Sequence, residues 1–286
     1  MGFEEGLKKL KDEGKKIETE KKKRVEALDL LNKYRPKKFS EFIGNKMTIK
    51  MAINAVKNYK SESKRVKNGI LIHGLEGTGK TSLAYIIVKA LMCQNFAEDV
   101  CDECENCKSF RLIRELLFFG SPYQQCNCAN MDKAYMDEVL KEIDRGGHLI
   151  ANRRITIFDE FHRTKEPLQE KLLAPLEFDN HILLIFCAID IKKTSPAFKE
   201  RVLILTIRPP EIDELIPWLR KICDSEGITT KDGNALKELA LSAGRIEREC
   251  LSFLEKAQLL EEPLTTDLVK EIAEDQEYHA PEYTFV

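Results

Sequence analysis

Residues Gly69 to Met92 read GILIHGLEGTGKTSLAYIIVKALM. The first six residues are a short apolar, β-branched run closed by Gly74, which is the pattern of a buried strand. The last thirteen, from Lys80, place apolar residues at helical spacing. Between them, Gly74, Gly79, Lys80 and Thr81 satisfy G-x-x-x-x-G-K-[ST], a phosphate-binding loop. Gly77 and Gly79 let the backbone curl around Thr78, so that successive N–H groups face an anion. The helix beginning at Lys80, Thr81 and Ser82 adds the positive end of its dipole. Lys80 is placed for the β- and γ-phosphates, and the Thr81 hydroxyl for Mg²⁺. A glycine-rich turn that binds nothing is the competing reading. The strand before and the helix after favour a nucleoside triphosphate.

Outward from this stretch the texture alternates. RRITIFDE (153–160), HILLIFCAI (181–189) and RVLILTIR (201–208) are further apolar strands separated by helical segments. Such a pattern predicts an α/β fold: a parallel sheet with helices on both faces. Asp159 and Glu160 fall at the C-terminal end of a strand, where open α/β sheets place their ligand crevice. Asp159 is the candidate magnesium ligand, and Glu160 the candidate group to orient an attacking water. Before the sheet, YRPKKFSEFIGN (34–45) breaks the helical pattern, and a helix is expected over 46–59. After Pro209-Pro210 the strands stop, and four helices are expected over 211–227, 231–244, 245–260 and 265–275. The domain reading is a charged helical extension over 1–30, a nucleotide-binding domain over 31–210, a helical lid over 211–275 and a tail over 276–286.

Four of the 9 cysteines cluster after the phosphate-loop helix. Cys93, Cys101, Cys104 and Cys107 have the spacing C-x7-C-x2-C-x2-C, and four thiolates suit a tetrahedral Zn²⁺. C-x2-C-x2-C also occurs in iron–sulfur sites, but the ferredoxin continuation C-x3-C-P is absent. Unligated thiols are the bland alternative. Cys126 and Cys128 read as ordinary thiols near a strand; Cys187, Cys223 and Cys250 read as core. His73, His148, His162, His181 and His279 show no paired ligand spacing.

Composition sets the outer limits. The chain has 286 residues, 43 % hydrophobic and 33 % charged, with a formal net charge of −2, so bulk charge argues neither for nor against nucleic acid, and a local basic face would have to do so. No apolar run has the length of a membrane span, about 18 residues. The N-terminus lacks the apolar core of a signal peptide, and Gly6 breaks a myristoylation motif. A cytoplasmic protein with reduced thiols is expected.

Taken in order, YRPKKFSEFIG, GLEGTGKTSLAYIIVKALMC, CDECENCKSF and IFDEFHR resemble the gamma/tau subunit of bacterial DNA polymerase III. That subunit is the clamp-loader ATPase of the AAA+ superfamily, and the likeness runs from about Leu31 to Ala257. The resemblance implies a P-loop AAA+ fold with an inserted zinc-binding module at about 93–107 and a small helical lid. It implies ATP, Mg²⁺ and a structural Zn²⁺ as cofactors. Tyr34, Arg35 and Pro36 correspond to the family's adenine-side element, with Ile43 and Gly44 closing the same pocket. Arg201, in KERV, stands where the family has the arginine finger of a Ser-Arg-Cys motif, with Glu200 and Val202 replacing the Ser and Cys. A surface salt bridge is the competing role. Arg248, followed by Glu249, matches the lid arginine, with Arg245 as runner-up.

Two departures stand out. The sensor position offers Ala188 and Ile189, with Asp190 as the nearest polar group, where the family has a small polar residue. The chain also ends about where a collar-forming helical domain begins in that family, which implies a minimal or truncated subunit or a different assembly. The leading expectation is an ATP-dependent clamp-loader subunit acting in DNA replication. Its partners would be other loader subunits or a second copy, the sliding clamp and primer-template DNA, with no membrane. Lys133, Lys141, Arg145, Arg153, Arg154 and Arg163 are the basic positions considered for a DNA-facing chamber; a solvated face is the competing reading. The second functional reading is a nucleotide-dependent assembly module with weak or no hydrolysis.

Overall fold

The computed structural model describes residues 29–61, 67–116, 123–144, 154–178 and 182–275. Residues 1–28 of the charged extension, with Lys21 to Arg24, the 276–286 tail, Arg145, Arg153, His148, His181 and His279 lie outside the described residues. In chain order the elements are α1 (Leu30–Lys33), α2 (Lys46–Ser61), β1 (Gly69–His73), α3 (Lys80–Met92), α4 (Glu105–Leu116), β2 (Tyr123–Asn127) and α5 (Lys133–Asp144). There follow β3 (Arg154–Asp159), α6 (Glu166–Glu170), α7 (Leu173–Phe178), β4 (Ile182–Ala188), α8 (Pro196–Arg201) and β5 (Val202–Thr206). The last are α9 (Ile212–Glu226), α10 (Ala235–Ser242), α11 (Glu247–Leu260) and α12 (Thr266–Asp275).

By packing, the described residues divide into a sheet unit within residues 36–215 and a helical unit formed by residues 29–35 with 216–275. Residues 31–35, grouped with the nucleotide-binding domain by sequence, pack with the helices. The reason is local: Leu30 is fully buried, and its N–H donates to Glu255 Oε1 at 2.7 Å.

The five strands of the sheet unit run in the order β2-β3-β4-β1-β5, every pairing parallel. Four of them were expected with their bounds; β2 was anticipated only as a strand near Cys126 and Cys128. It reads YQQCN and, among the described residues, is an edge strand paired with β3 alone, so its outer positions tolerate glutamine and asparagine. β4, at the centre, is buried along its whole length and alternates between the two faces. Leu183, Ile185 and Cys187 join Ile70, Ile72, Ile155 and Ile157 beneath α2 and α3. Leu184, Phe186 and Ala188 face the other way, onto Phe158, Phe161 and Phe198. There Phe186 stacks on Phe158 at 5.0 Å and meets Phe198 edge-on at 4.8 Å. Each such side chain contributes roughly 2–3 kcal/mol by leaving water.

The helical unit buries Leu236, Leu239 and Ala240 of α10, Phe253 and Leu254 of α11, and Leu268, Val269 and Ile272 of α12. α10 ends where Gly244 and Arg245 turn left-handed, and Arg245 N–H returns to Ala240 O at 2.8 Å. Asp232 accepts the N–H groups of Asn234 (2.9 Å) and Thr266 (2.7 Å), joining the starts of α10 and α12.

Candidate functional site

β1 delivers the chain to the phosphate loop at the C-terminal edge of the sheet, and α3 takes it away. Gly74 has no room for a side chain: an added Cβ would lie 2.2 Å from Ile207 O. Gly77 and Gly79 have φ of 78° and 87°, so the curl uses the conformations that glycine alone adopts at low cost. Thr78 is fully buried, and its hydroxyl donates back to Leu75 O at 2.8 Å. Lys80 Nζ lies across the same loop, donating to Leu75 O at 2.6 Å. Burial lowers the Lys80 pKa, opposed by the negative charge of nearby groups, Asp159 among them.

Thr81 Oγ1 sits 3.3 Å from both carboxylate oxygens of Asp159, so the two candidate magnesium ligands are brought together. Adjacent ligands of an octahedral Mg²⁺ are about 3.0 Å apart when each bond is about 2.1 Å, so this donor pair fits the ion. β3 ends at Asp159, and Glu160 is left-handed at φ 57°, which frees its side chain from the strand alternation. Glu160 Oε2 accepts from Arg163 Nε at 3.1 Å and lies 3.8 Å from His162 Nε2. His162 Nδ1 in turn receives the N–H of Ile189 at 3.4 Å, and burial lowers its pKa. At the sensor position Ala188 is fully buried, while the Asp190 carboxylate caps the following turn through Lys192 N–H at 2.8 Å.

Around this centre, Gly44 is left-handed at φ 61° and packs against Pro210 and Glu214. Beside it lies a pocket of about 380 Å³ lined by residues including Asn45, Thr48, Thr206, Arg208 and Glu214. Asn45 latches it by donating to Arg208 O and accepting from Arg208 N, both at 2.9 Å. Ile43 is half-buried next to it and accepts a long 3.4 Å contact from Asn45 Nδ2. Pro36 opens the sheet unit. In the helical unit, Tyr34 hydrogen-bonds Glu226, and burial with that carboxylate pushes its pKa up to about 12. Arg35 follows it, and Arg248 is the second residue of α11. Arg201 ends α8, held by Glu177 through Nε at 2.6 Å and by Ala197 O through Nη1 at 2.7 Å. The salt bridge weighed against the finger is therefore present within the chain.

The four cysteines converge. All four sulfurs lie within 4.8 Å of one another, with Cys93–Cys101 at 3.5 Å and Cys101–Cys107 at 3.9 Å. A tetrahedral zinc with bonds of about 2.3 Å needs sulfurs about 3.8 Å apart, so the donor set fits. Backbone N–H groups of Cys101, Cys104 and Cys107 each point at the preceding cluster sulfur at 3.4 Å. The N–H groups of Cys104 and Glu103 pull Cys101 down to about 6. Burial acts to raise Cys104, and the N–H groups of Gln94 and Cys107 outweigh it; burial prevails at Cys93 and Cys107, whose thiols are raised. Lys60, its pKa lowered by burial, donates to Leu91 O at 3.0 Å and Cys93 O at 2.6 Å beside the cluster. Cys126 and Cys128 are buried in and after β2; Cys187, Cys223 and Cys250 are buried as core.

Sequence reasoning missed Phe42, whose ring lies 3.2 Å from where a Gly79 Cβ would be. It also missed Gln125, whose Nε2 is 3.4 Å from Asp159 Oδ2, and His162 beside Glu160. For the first two nothing local in the sequence gives a signal, since both act across long chain separations. For His162 the signal was adjacency to the acidic pair.

The chain is similar to known proteins. The sequence model of the family described as "DNA polymerase III, delta subunit" matches residues 50–211. The DNA polymerase III subunit gamma/tau of Mycoplasma pneumoniae is 26% identical over 240 residues, 84% of this chain and 34% of its own length. Protein STICHEL-like 1 of Arabidopsis thaliana is 27% identical over 248 residues, 85% of this chain and 21% of its own length. The chain thus spans about a third or less of these two relatives. Among solved structures, the Thermotoga maritima RuvB Holliday junction branch migration motor superposes with a TM-score of 0.59 at 19% identity, covering 85% of this chain and 72% of that one. The likeness to it is one of fold. Among the described residues no helix is long and apolar enough to cross a membrane. With the matched region taking in the phosphate loop, the cysteine cluster and the acidic pair, the resemblance to the gamma/tau subunit holds, and the chain belongs to the DNA polymerase III, delta subunit family.

Proposed function

We propose that this chain is the ATPase unit of a clamp loader, binding and hydrolysing ATP to help place a sliding clamp on primed DNA during replication. The observation that carries the reading is the meeting of Thr81 and Asp159, 3.3 Å apart, beside a glycine-shaped phosphate loop. In this reading Gly74, Gly77, Thr78, Gly79 and Ser82 frame the triphosphate. Lys80 exchanges Leu75 O for phosphate oxygens. Thr81 and Asp159 hold Mg²⁺, which when bound offsets the charge of the β- and γ-phosphates. Glu160 aligns the water. Ile43, Gly44 and Pro36 belong to the adenine side, as do Tyr34 and Arg35 by family correspondence. Arg248 is the lid arginine. Arg201 would leave Glu177 to serve the nucleotide of a neighbouring subunit. Cys93, Cys101, Cys104 and Cys107 hold a structural zinc that leaves no open position for a substrate. Other loader subunits or a second copy, the clamp and primer-template DNA are the partners.

The test is steady-state ATP turnover with and without primed DNA and a sliding clamp. Glu160→Gln is expected to bind MgATP as the parent does and to lose turnover by about a hundredfold or more. Unchanged turnover removes Glu160 from its role. The second reading, an assembly module with weak hydrolysis, is favoured by the buried Ala188 at the sensor position and by the Arg163–Glu160 pair. Parent turnover that stays at background with DNA and clamp present decides for it.

A further inference from the structure

The loop from Cys93 to Cys107 grips the main chain of a distant segment. Asp99 Oδ1 accepts the N–H groups of Phe39 (2.9 Å) and Val100 (2.8 Å), and Oδ2 accepts that of Ser40 (3.0 Å). Phe96 meets the buried Phe39 ring edge-on at 6.3 Å. Asp102 pairs with Lys38 at 3.0 Å and with Lys89, and Lys89 donates to Lys37 O at 3.2 Å. All these contacts converge on Lys37–Ser40, in which Phe39 alone is buried. The segment has little apolar anchorage of its own. Just beyond it comes Phe42, and a Cβ at Gly79 would stop 3.2 Å from the Cε1 and Cζ of that ring. Gly79 is the left-handed residue that caps α3 and turns the loop toward its ligand.

We propose that Asp99 and Phe96 are positioning residues for the phosphate loop: they hold Lys37–Ser40 so that Phe42 stays seated against Gly79. The inference rests on the nucleotide reading above. It assigns the cysteine-bearing loop a second task, since the chain that folds around the four sulfurs also sets the wall of the triphosphate site. Asp99 touches no reacting atom and acts only through the main chain that it holds.

The experiment uses the full chain, titrated with MgATP by calorimetry, with zinc content and thermal melting measured on each variant. Asp99→Ala is expected to keep its zinc and melt above the assay temperature while its Kd for MgATP rises about tenfold. Asp99→Asn, which keeps one acceptor oxygen, rises less. The Asp99→Ala/Phe42→Ala double variant binds no more weakly than Phe42→Ala alone, because both losses pass through one contact; a general loss of stability would multiply them. Parent-like affinity in Asp99→Ala, or multiplied losses in the double variant, overturns the proposal. Should Asp99→Ala not fold, Asp99→Asn and Phe96→Leu decide in its place, and an unchanged Kd in both overturns it. If the parent itself fails to bind MgATP, the nucleotide reading falls. If the parent binds, Lys80→Ala does not, and Asp99→Ala is unaffected, only the present proposal falls.

Discussion

Two loops flank α3 and are built on opposite principles. At its N-terminal end the shape is carried by backbone: left-handed turns at Gly77 and Gly79, a Thr78 hydroxyl closing on Leu75, and no space for a Cβ at Gly74. At its C-terminal end the shape is carried by side chains, four sulfurs drawn together with N–H groups aimed at three of them. The first arrangement suits an anion and the second a cation. The dipole of α3 favours the anion at the N-terminal end, while at the C-terminal end the thiolates, not the dipole, would hold the cation. Lys60 extends the pattern by setting an ammonium against the carbonyls of Leu91 and Cys93. The lesson is that a site shaped by peptide groups depends on glycine at fixed positions, whereas a site made of thiols depends on the fold bringing four side chains together.

The largest effect is expected at the backbone-built loop. Gly79→Ala adds a Cβ at φ 87° and pushes on Phe42, so MgATP affinity should fall by about a hundredfold or more while zinc content stays at one per chain. Titration of both ligands on the same sample checks it, and parent-like nucleotide affinity would break the contrast between the loops. Next, Cys101→Ser or Cys104→Ser should abolish stoichiometric zinc and lower Tm by about 10 °C. Retained zinc after either change would show that the four sulfurs do not act as one site. The smallest effect belongs to Lys60→Met, which removes a helix-end cation worth about 0.3–1 kcal/mol and should lower Tm by about 1–3 °C. A drop as large as that of the cysteine variants would mean that Lys60 belongs to the metal site rather than to the helix end.

The parts of the molecule that announced themselves in sequence are those fixed by local chemistry. Gly74 to Ser82, the C-x2-C-x2-C run and the Asp159-Glu160 pair are recognisable as motifs within a few residues, and the fold brings each set together. The helices after Pro210 declare themselves by period and by glycine stops, and α9 to α12 fall within a few residues of the expected bounds. The bounds of β2 stayed hidden because an edge strand needs only one buried face, and Gln124, Gln125 and Asn127 erase the apolar signal. Asp99, Phe42 and Asn45 were illegible for a different reason. Each acts on backbone brought near by the fold, and no spacing rule links Asp99 to Phe39 or Asn45 to Arg208. The Arg201–Glu177 pair was foreseen as a type of contact, but its partner was not.

The strip at Leu30–Arg35 carries a practical corollary for anyone cutting the gene. A fragment starting at Pro36 would look tidy, since that is where the sheet unit opens. It would strip the C-terminal helices of Leu30, a side chain sealed wholly inside them, and leave the Glu255 and Glu226 carboxylates without the amide and phenol they hold. An expression boundary upstream of Asp29, whose side chain caps that strip at Asn32, spares the helices an open seam.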